Sequence, residues 1–221
     1  MNHSGVVLDD AGSSSENESQ MYSTNEYGYF AAYLNKIKKM YQLFNQEHMA
    51  VLQAFNQVEL DKAFTEEVLF NFFNIIEKKK NLEQLLCFLD ESAKRVEDIY
   101  SEYVTWVLSS PEVDEGSRQN FAKAISTSHE EKKFLRQEPY RIRKDIALEY
   151  IKYFDFFSKI FGTYGVGAEG QILFASEHDF LVWKSHFEKL ENLFKEEENF
   201  AQFSEEKFRN MPTLPSLHNE N

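Results

Sequence analysis

Glycine and proline are scarce in this chain of 221 residues, eight and four in all. Both are absent from residues 29–110, the 82 positions between Gly28 and Pro111. These are the strongest interrupters of helices, so their absence leaves that stretch free to form very long ones. Cysteine is limited to Cys87, which excludes an internal disulfide framework and fits a reducing compartment. Cys87 lies in the apolar run 85–89 and reads as a buried small hydrophobe rather than a reactive thiol. No apolar run approaches the ~20 residues that a membrane-spanning helix needs. Residues 1–27 contain no lysine or arginine, so the positively charged start of a secretory signal is missing. A cytoplasmic protein is expected, or one exported without a cleaved leader. In that setting the sequon Asn17-Glu18-Ser19 is accidental.

Positive charge is also short: the net charge is −13. Residues 1–27 carry five acids and no base, and residues 196–221 carry six acids and two bases. The body between them is close to balanced. A chain without a clear basic surface is a poor partner for nucleic acid.

Aromatics, by contrast, are plentiful, with 21 Phe and 11 Tyr, enough for a substantial core. Their spacing is helical. One register reads Phe30, Leu34, Ile37, Tyr41, Phe44, His48, Val51, Phe55 and Val58. A second reads Val68, Phe72, Ile75, Lys79, Leu82, Leu86, Leu89, Ala93, Val96, Tyr100, Tyr103 and Val107. Alternating steps of four and three bury one seam against another helix. His48 and Lys79 are polar intrusions in those seams and read as register-setting residues. The phase breaks near Asp61, and Thr65 with Glu66 and Glu67 reads as the cap of the second helix.

The expected fold is therefore all-α: an elongated bundle of about five helices on a long antiparallel, coiled-coil-like hairpin. Helices are predicted over residues 26–60, 65–108 (a rod of roughly 60 Å), 117–137, 139–161 and 176–208. Pro139 serves as the boundary between the third and fourth. Val68 to Ile76 is apolar on several faces, so more than one neighbour must cover it. Ser176 with Asp179 resembles a capping box. The domain spans 26–208, between a disordered acidic tail, 1–25, and a second disordered tail, 209–221.

Chemistry is harder to find. Gly165-Val166-Gly167-Ala168-Glu169-Gly170 spells GxGxxG, but a dinucleotide site needs a strand before it and a helix directly after. A flexible interhelical loop is expected instead. Glu177, His178, Asp179 and His186 are the densest set of metal-ligand types, yet the histidines stand two turns apart. No Glu-x-x-His or HExxH pattern occurs. No catalytic residue, metal or cofactor is predicted. Lys132, Lys133, Arg136, Arg141, Arg143 and Lys144 form the one basic stretch, 132–144, either a patch for an anionic ligand or membrane surface, or a counterweight to the acidic tails. Arg209, Pro212 and Pro215 match the basic-x-x-Pro-x-x-Pro pattern read by SH3 domains.

Glu196-Glu197-Glu198, Glu205-Glu206 and the polar, proline-containing end with Leu217 resemble the C-terminal E-block signal of Dot/Icm type IV secreted effectors. The likeness covers about 25 residues, with its glutamates split. It implies a bacterial protein delivered into a host cell, and implies no activity or site residue. The leading reading is a non-enzymatic helical interaction or scaffold module. The alternatives are a peripheral membrane-binding protein using 132–144 and an enzyme with an unfamiliar site. Partners expected are other proteins, with a membrane surface or a second copy also open.

Overall fold

Helix formation follows the glycine- and proline-free composition closely. The computed structural model describes residues 30–111, 113–168 and 170–209. The tail 1–25, Pro212 and Pro215 lie outside them. Helix α1 is Phe30–Gln57. A 3-10 turn, Leu60–Lys62, and a one-turn helix α2, Glu66–Leu69, lead into α3, Phe72–Ser109. Helices α4, Glu115–Glu131, and α5, Lys133–Lys159, follow. A hairpin of β1, Tyr164–Val166, and β2, Ile172–Phe174, precedes α6, Glu177–Arg209. The fold is an all-α bundle of six helices, α2 being additional to the expected set.

Helices α1 and α3 form the predicted antiparallel hairpin, with ties at both ends and the middle. Tyr33 meets Trp106 edge-on at 5.0 Å, Glu47 accepts from Arg95 Nε at 2.9 Å, and Lys78 Nζ donates to the Val58 carbonyl at 2.8 Å. From Ile75 onward the α3 seam follows the prediction, with Ile75, Leu82, Leu89, Val96, Tyr103 and Val107 buried, whereas Phe72, also placed in it, is exposed. The α1 seam holds at its end, where Val51 and Val58 are buried as predicted, and is displaced by one residue earlier: Tyr33 is buried in place of Leu34, while Tyr41 and His48 are exposed. Glu47, not His48, is the polar residue in that seam, because Arg95 is opposite to receive it. Lys79 pairs with Asp155 of α5 at 2.6 Å, so it ties α3 to α5 rather than to α1. Cys87 is exposed, against expectation. It stands two residues, about 200° of helix, from both Leu85 and Leu89, which are buried.

The break between the first two helices runs further than the sequence signals suggest. Glu59 adopts the left-handed conformation, φ 51°, and reverses the chain. The Thr65 hydroxyl donates to the Lys62 carbonyl at 2.8 Å and so does not cap the long helix. Asn71 does: its Oδ1 accepts from the backbone N–H of Phe73 at 3.0 Å and of Asn74 at 3.4 Å. The α4–α5 boundary is Lys132, not Pro139, which sits inside α5. Proline in the second turn forfeits one backbone bond. Meanwhile Arg136 donates to the His129 carbonyl at 2.8 Å and satisfies the end of α4. The predicted flexible loop is an antiparallel hairpin pairing Tyr164 with Phe174 and Val166 with Ile172. The Ser176 cap of α6 is present, its Oγ accepting from Asp179 N–H at 3.1 Å.

The core is one main cluster with a satellite. Ile142, Ile146, Tyr150, Tyr153, Phe154 and Phe157 of α5 are fully buried against Leu82, Leu85 and Leu89 of α3 and Leu190 of α6. Phe64, from the linker, plugs the top at 5.9, 5.1 and 5.7 Å from the rings of Tyr150, Tyr153 and Phe187. Tyr33, Tyr103, Val107, Val113 and Ala122 form the satellite where α1, α3 and α4 meet. If Asn71 rather than Thr65 starts the long helix, Asn71→Ala lowers stability by about 1 kcal/mol. Thr65→Ala then costs clearly less in urea unfolding, and the reverse order would return the cap to Thr65.

Candidate functional site

Capping at Asn71 decides which apolar side chains α3 can bury. Ile75 goes inward and is fully buried, whereas Phe73 is 82% exposed and Phe72 and Ile76 are 41% and 43% exposed. Phe72 leans edge-on against Phe161 at 5.3 Å, and Phe70 meets Tyr164 at 5.1 Å with the rings tilted. The Tyr164 hydroxyl donates to the Leu69 carbonyl, tying the hairpin to the α2–α3 junction. This pole gathers Phe70, Phe72, Phe73, Ile76 and Phe161, five of the sixteen exposed large hydrophobics among the described residues, a cluster and not isolated side chains. The sequence reading expected neighbours over 68–76. They cover Val68, Leu69 and Ile75 and leave the rest open.

The basic stretch 132–144 is divided among several neighbours. Arg141 bonds Asp145 at 2.6 Å, Glu138 at 2.8 Å and also Glu196 of α6. The Glu138 contact is the main reason its guanidinium is held charged beyond the ordinary range. Arg143 donates to Glu197 at 3.0 Å and lies over the Phe55 ring of α1. Lys144 pairs with Asp90 of α3, and Lys133 with Glu130 at 3.7 Å. Lys132 occupies the helix junction. Arg136, whose pKa burial pushes down, joins Arg141 and Lys144 along a groove of about 410 Å³ between α3 and α5. Asp90, Glu97 and Asp145 line the same groove, so it carries both signs of charge.

The remaining sequence candidates disperse. Arg209 is the last residue of α6. The GxGxxG segment occupies β1 and the hairpin turn. Gly170 there takes φ 78°, and a Cβ on Gly167 would run into the Gln171 side chain at 2.4 Å. Gly170 serves the turn through its positive φ, while the Gln171 amide beside Gly167 is the movable end of a flexible side chain. His186 leaves the Glu177–Asp179 set and points inward. Among the described residues, no three His, Cys, Asp or Glu side chains are placed to hold a metal ion.

What His186 meets is the residue that sequence reasoning missed. Glu149 is buried on the apolar face of α5, 2.6 Å from His186 Nδ1 and accepting from Lys152 at 3.1 Å. Burial alone would raise its pKa, but the hydrogen bonds from His186 and Lys152 and the nearby lysine charges outweigh it, and the net shift is downward. The only available signal was its position among Ile146, Tyr150 and Tyr153 at helical spacing. A second tie joins α4 to α3: His129, stacked on Tyr100 at 3.4 Å, has Nε2 2.8 Å from Glu97.

Fold and surface together define a helical bundle with exposed aromatics around the start of α3, Phe70 to Phe73, and a second exposed pair, Phe134 and Phe203, where α5 begins and α6 ends. In comparisons with known proteins, no family model matches the chain, and no curated protein or solved structure matches it.

A carboxylate with a depressed folded pKa stabilises the fold above its unfolded value, near 4.5, and that contribution is lost as pH falls through the folded value. Glu149→Ala is therefore expected to cost about 2–3 kcal/mol at pH 7. The loss should shrink as urea unfolding is repeated below pH 4.5. An equal loss at pH 3 would assign the effect to packing alone.

Proposed function

We propose that this chain is a non-enzymatic helical interaction module that binds a protein through its aromatic pole. The observation that carries this reading is Phe73, 82% exposed on the first turn of a 38-residue helix and flanked by other exposed aromatics. Rigid aromatic side chains presented together are what interface centres are made of. Buried titratable groups support it too, since Glu149 and His129 are spent on interhelical ties.

A protein partner suits this surface better than an anionic membrane. Glu66, Glu67 and Glu77 flank the stretch Phe70–Ile76 along the chain, and of the three lysines that follow, Lys78 and Lys79 are engaged by Glu59 and Asp155, which leaves Lys80. The cations of 132–144 are engaged by carboxylates. Among the described residues, no helix is long and apolar enough to cross a membrane. The E-block resemblance would place the partner in a host cell. Of that pattern, Glu196, Glu197, Glu198, Glu205 and Glu206 lie in α6, and the rest is outside the described residues.

Affinity capture from a host-cell lysate tests the reading. Proteins retained by the intact chain are expected to be lost with Phe73→Glu/Ile76→Glu, whose helical circular dichroism should be unchanged because both positions are exposed. Removal of 209–221, with Pro212 and Pro215, should leave the retained set intact. Capture that ignores the double substitution but needs 209–221 would move the function to the Pro-containing tail.

A further inference from the structure

The aromatic pole has a polarity that selects its occupant. We propose that it takes a second copy of this chain, with the two α3 starts crossing antiparallel over Phe73 and Ile76. This rests on the pole being a protein-docking surface. Phe73, Ile76 and Lys80 follow one another at three- and four-residue steps, so they share one face of α3, and all are exposed. Glu66 and Glu67 of α2 lie at the other end of the strip, beyond Phe70. Their end is held to α3 by Asn74 Nδ2 donating to the Glu67 carbonyl at 3.0 Å. Glu77 borders the strip.

Acid, apolar middle and base therefore succeed one another along the surface. Rotated by half a turn, such a strip lies on itself with its acidic end against the other copy's basic end. That is the self-complementarity a two-fold interface requires. Glu66 and Lys80 make no ion pair with another described residue that would compete for it, and Glu67 interacts only through space with Lys62, which is itself bonded to Glu59.

Area fits as well. Phe70, Phe72, Phe73, Ile76 and Phe161, at their fractional exposures, offer on the order of 450 Å² of apolar surface per copy. A stable interface buries about 800 Å² per partner around such a core. The polar border of α2 and α3 supplies the remainder. Access is open from this side: α1 begins against Trp106, and α6 packs Phe200 and Phe203 on Phe134. Both described ends of the chain thus leave at the opposite pole.

Cys87, exposed and the single cysteine of the chain, is a built-in probe. It follows Phe73 by two heptads on the same face of α3. In an antiparallel crossing centred between Phe73 and Ile76, the two Cys87 positions stand about 40 Å apart.

The test uses the full chain. Sedimentation over a concentration series is expected to show a monomer–dimer equilibrium, and Phe73→Glu should weaken it at least about tenfold. Lys80→Glu alone and Glu66→Lys/Glu67→Lys together should each weaken the dimer, and combining all three should restore it. Spin labels on Cys87 should give an intermolecular distance near 40 Å. A chain that remains monomeric at several hundred micromolar would overturn the inference, as would a dimer indifferent to Phe73→Glu or a Cys87 distance below about 25 Å. If the chain is monomeric yet lysate capture still depends on Phe73, the docking reading stands with a different protein as occupant. If capture is also independent of Phe73, both fall.

Discussion

The packing of one helix face holds this molecule together. Helix α5 presents Ile142, Ile146, Tyr150, Tyr153, Phe154 and Phe157 in a single fully buried stripe, and α3 and α6 close on it from two sides. Burying a large aromatic or aliphatic side chain contributes roughly 1.5–3 kcal/mol, so this stripe outweighs any other contact in the bundle. Once it is filled, α3 has no freedom of rotation: Ile75, Leu82 and Leu89 must face α5, and whatever lies on the opposite side of α3 must face away. Phe73 is on the surface for that reason, and the Asn71 cap only fixes where the face begins.

Charge plays the secondary role of choosing neighbours. The interhelical pairs Lys79–Asp155, Arg95–Glu47, Arg143–Glu197 and Lys144–Asp90 are partly exposed, and such pairs contribute at most about 1 kcal/mol each. Their effect is on register. A one-residue slip of α1 against α3 would separate Glu47 from Arg95 and leave Tyr33 without Trp106. Glu149 is different in kind. A buried carboxylate among aromatics is tolerated only because His186 and Lys152 satisfy it, which makes it the most demanding contact between α5 and α6.

Much of this organisation was legible in the sequence, for a reason of scale. Long helices with apolar residues at steps of three and four, and no glycine or proline to interrupt them, announce themselves, as α3 does from Ile75 to Val107. Errors arose where two local arrangements differ by little. The α1 stripe is wide enough for two registers, and only Arg95 and Trp106, distant in sequence, decide between Glu47 and His48. Pro139 is an ordinary boundary signal overridden by the packing of α5. Cys87 is exposed within an apolar run, because such a run hides the rotation of the helix beneath it. The hairpin at Tyr164–Phe174 is too short to show a period of two. Glu149 could not be found without its partner, since His186 lies 37 residues away and no spacing rule joins them. For the pole, the excess of aromatic faces around residues 68–76 was visible, but which of them stay uncovered depends on α5 and the hairpin.

The central claim is that the face of α3 opposite its buried seam is a docking surface whose occupant is a second chain. Hydroxyl-radical footprinting of the intact protein, read by mass spectrometry across a dilution series, tests this most directly. Phe72, Phe73 and Ile76 are expected to be oxidised in dilute solution, Phe73 most strongly, and to become progressively protected as concentration rises. Phe134 and Phe203, exposed at the opposite pole, should react equally throughout. Protection that appears at Phe134 and Phe203 instead, or a Phe73 that is shielded even at the lowest concentration, would contradict it.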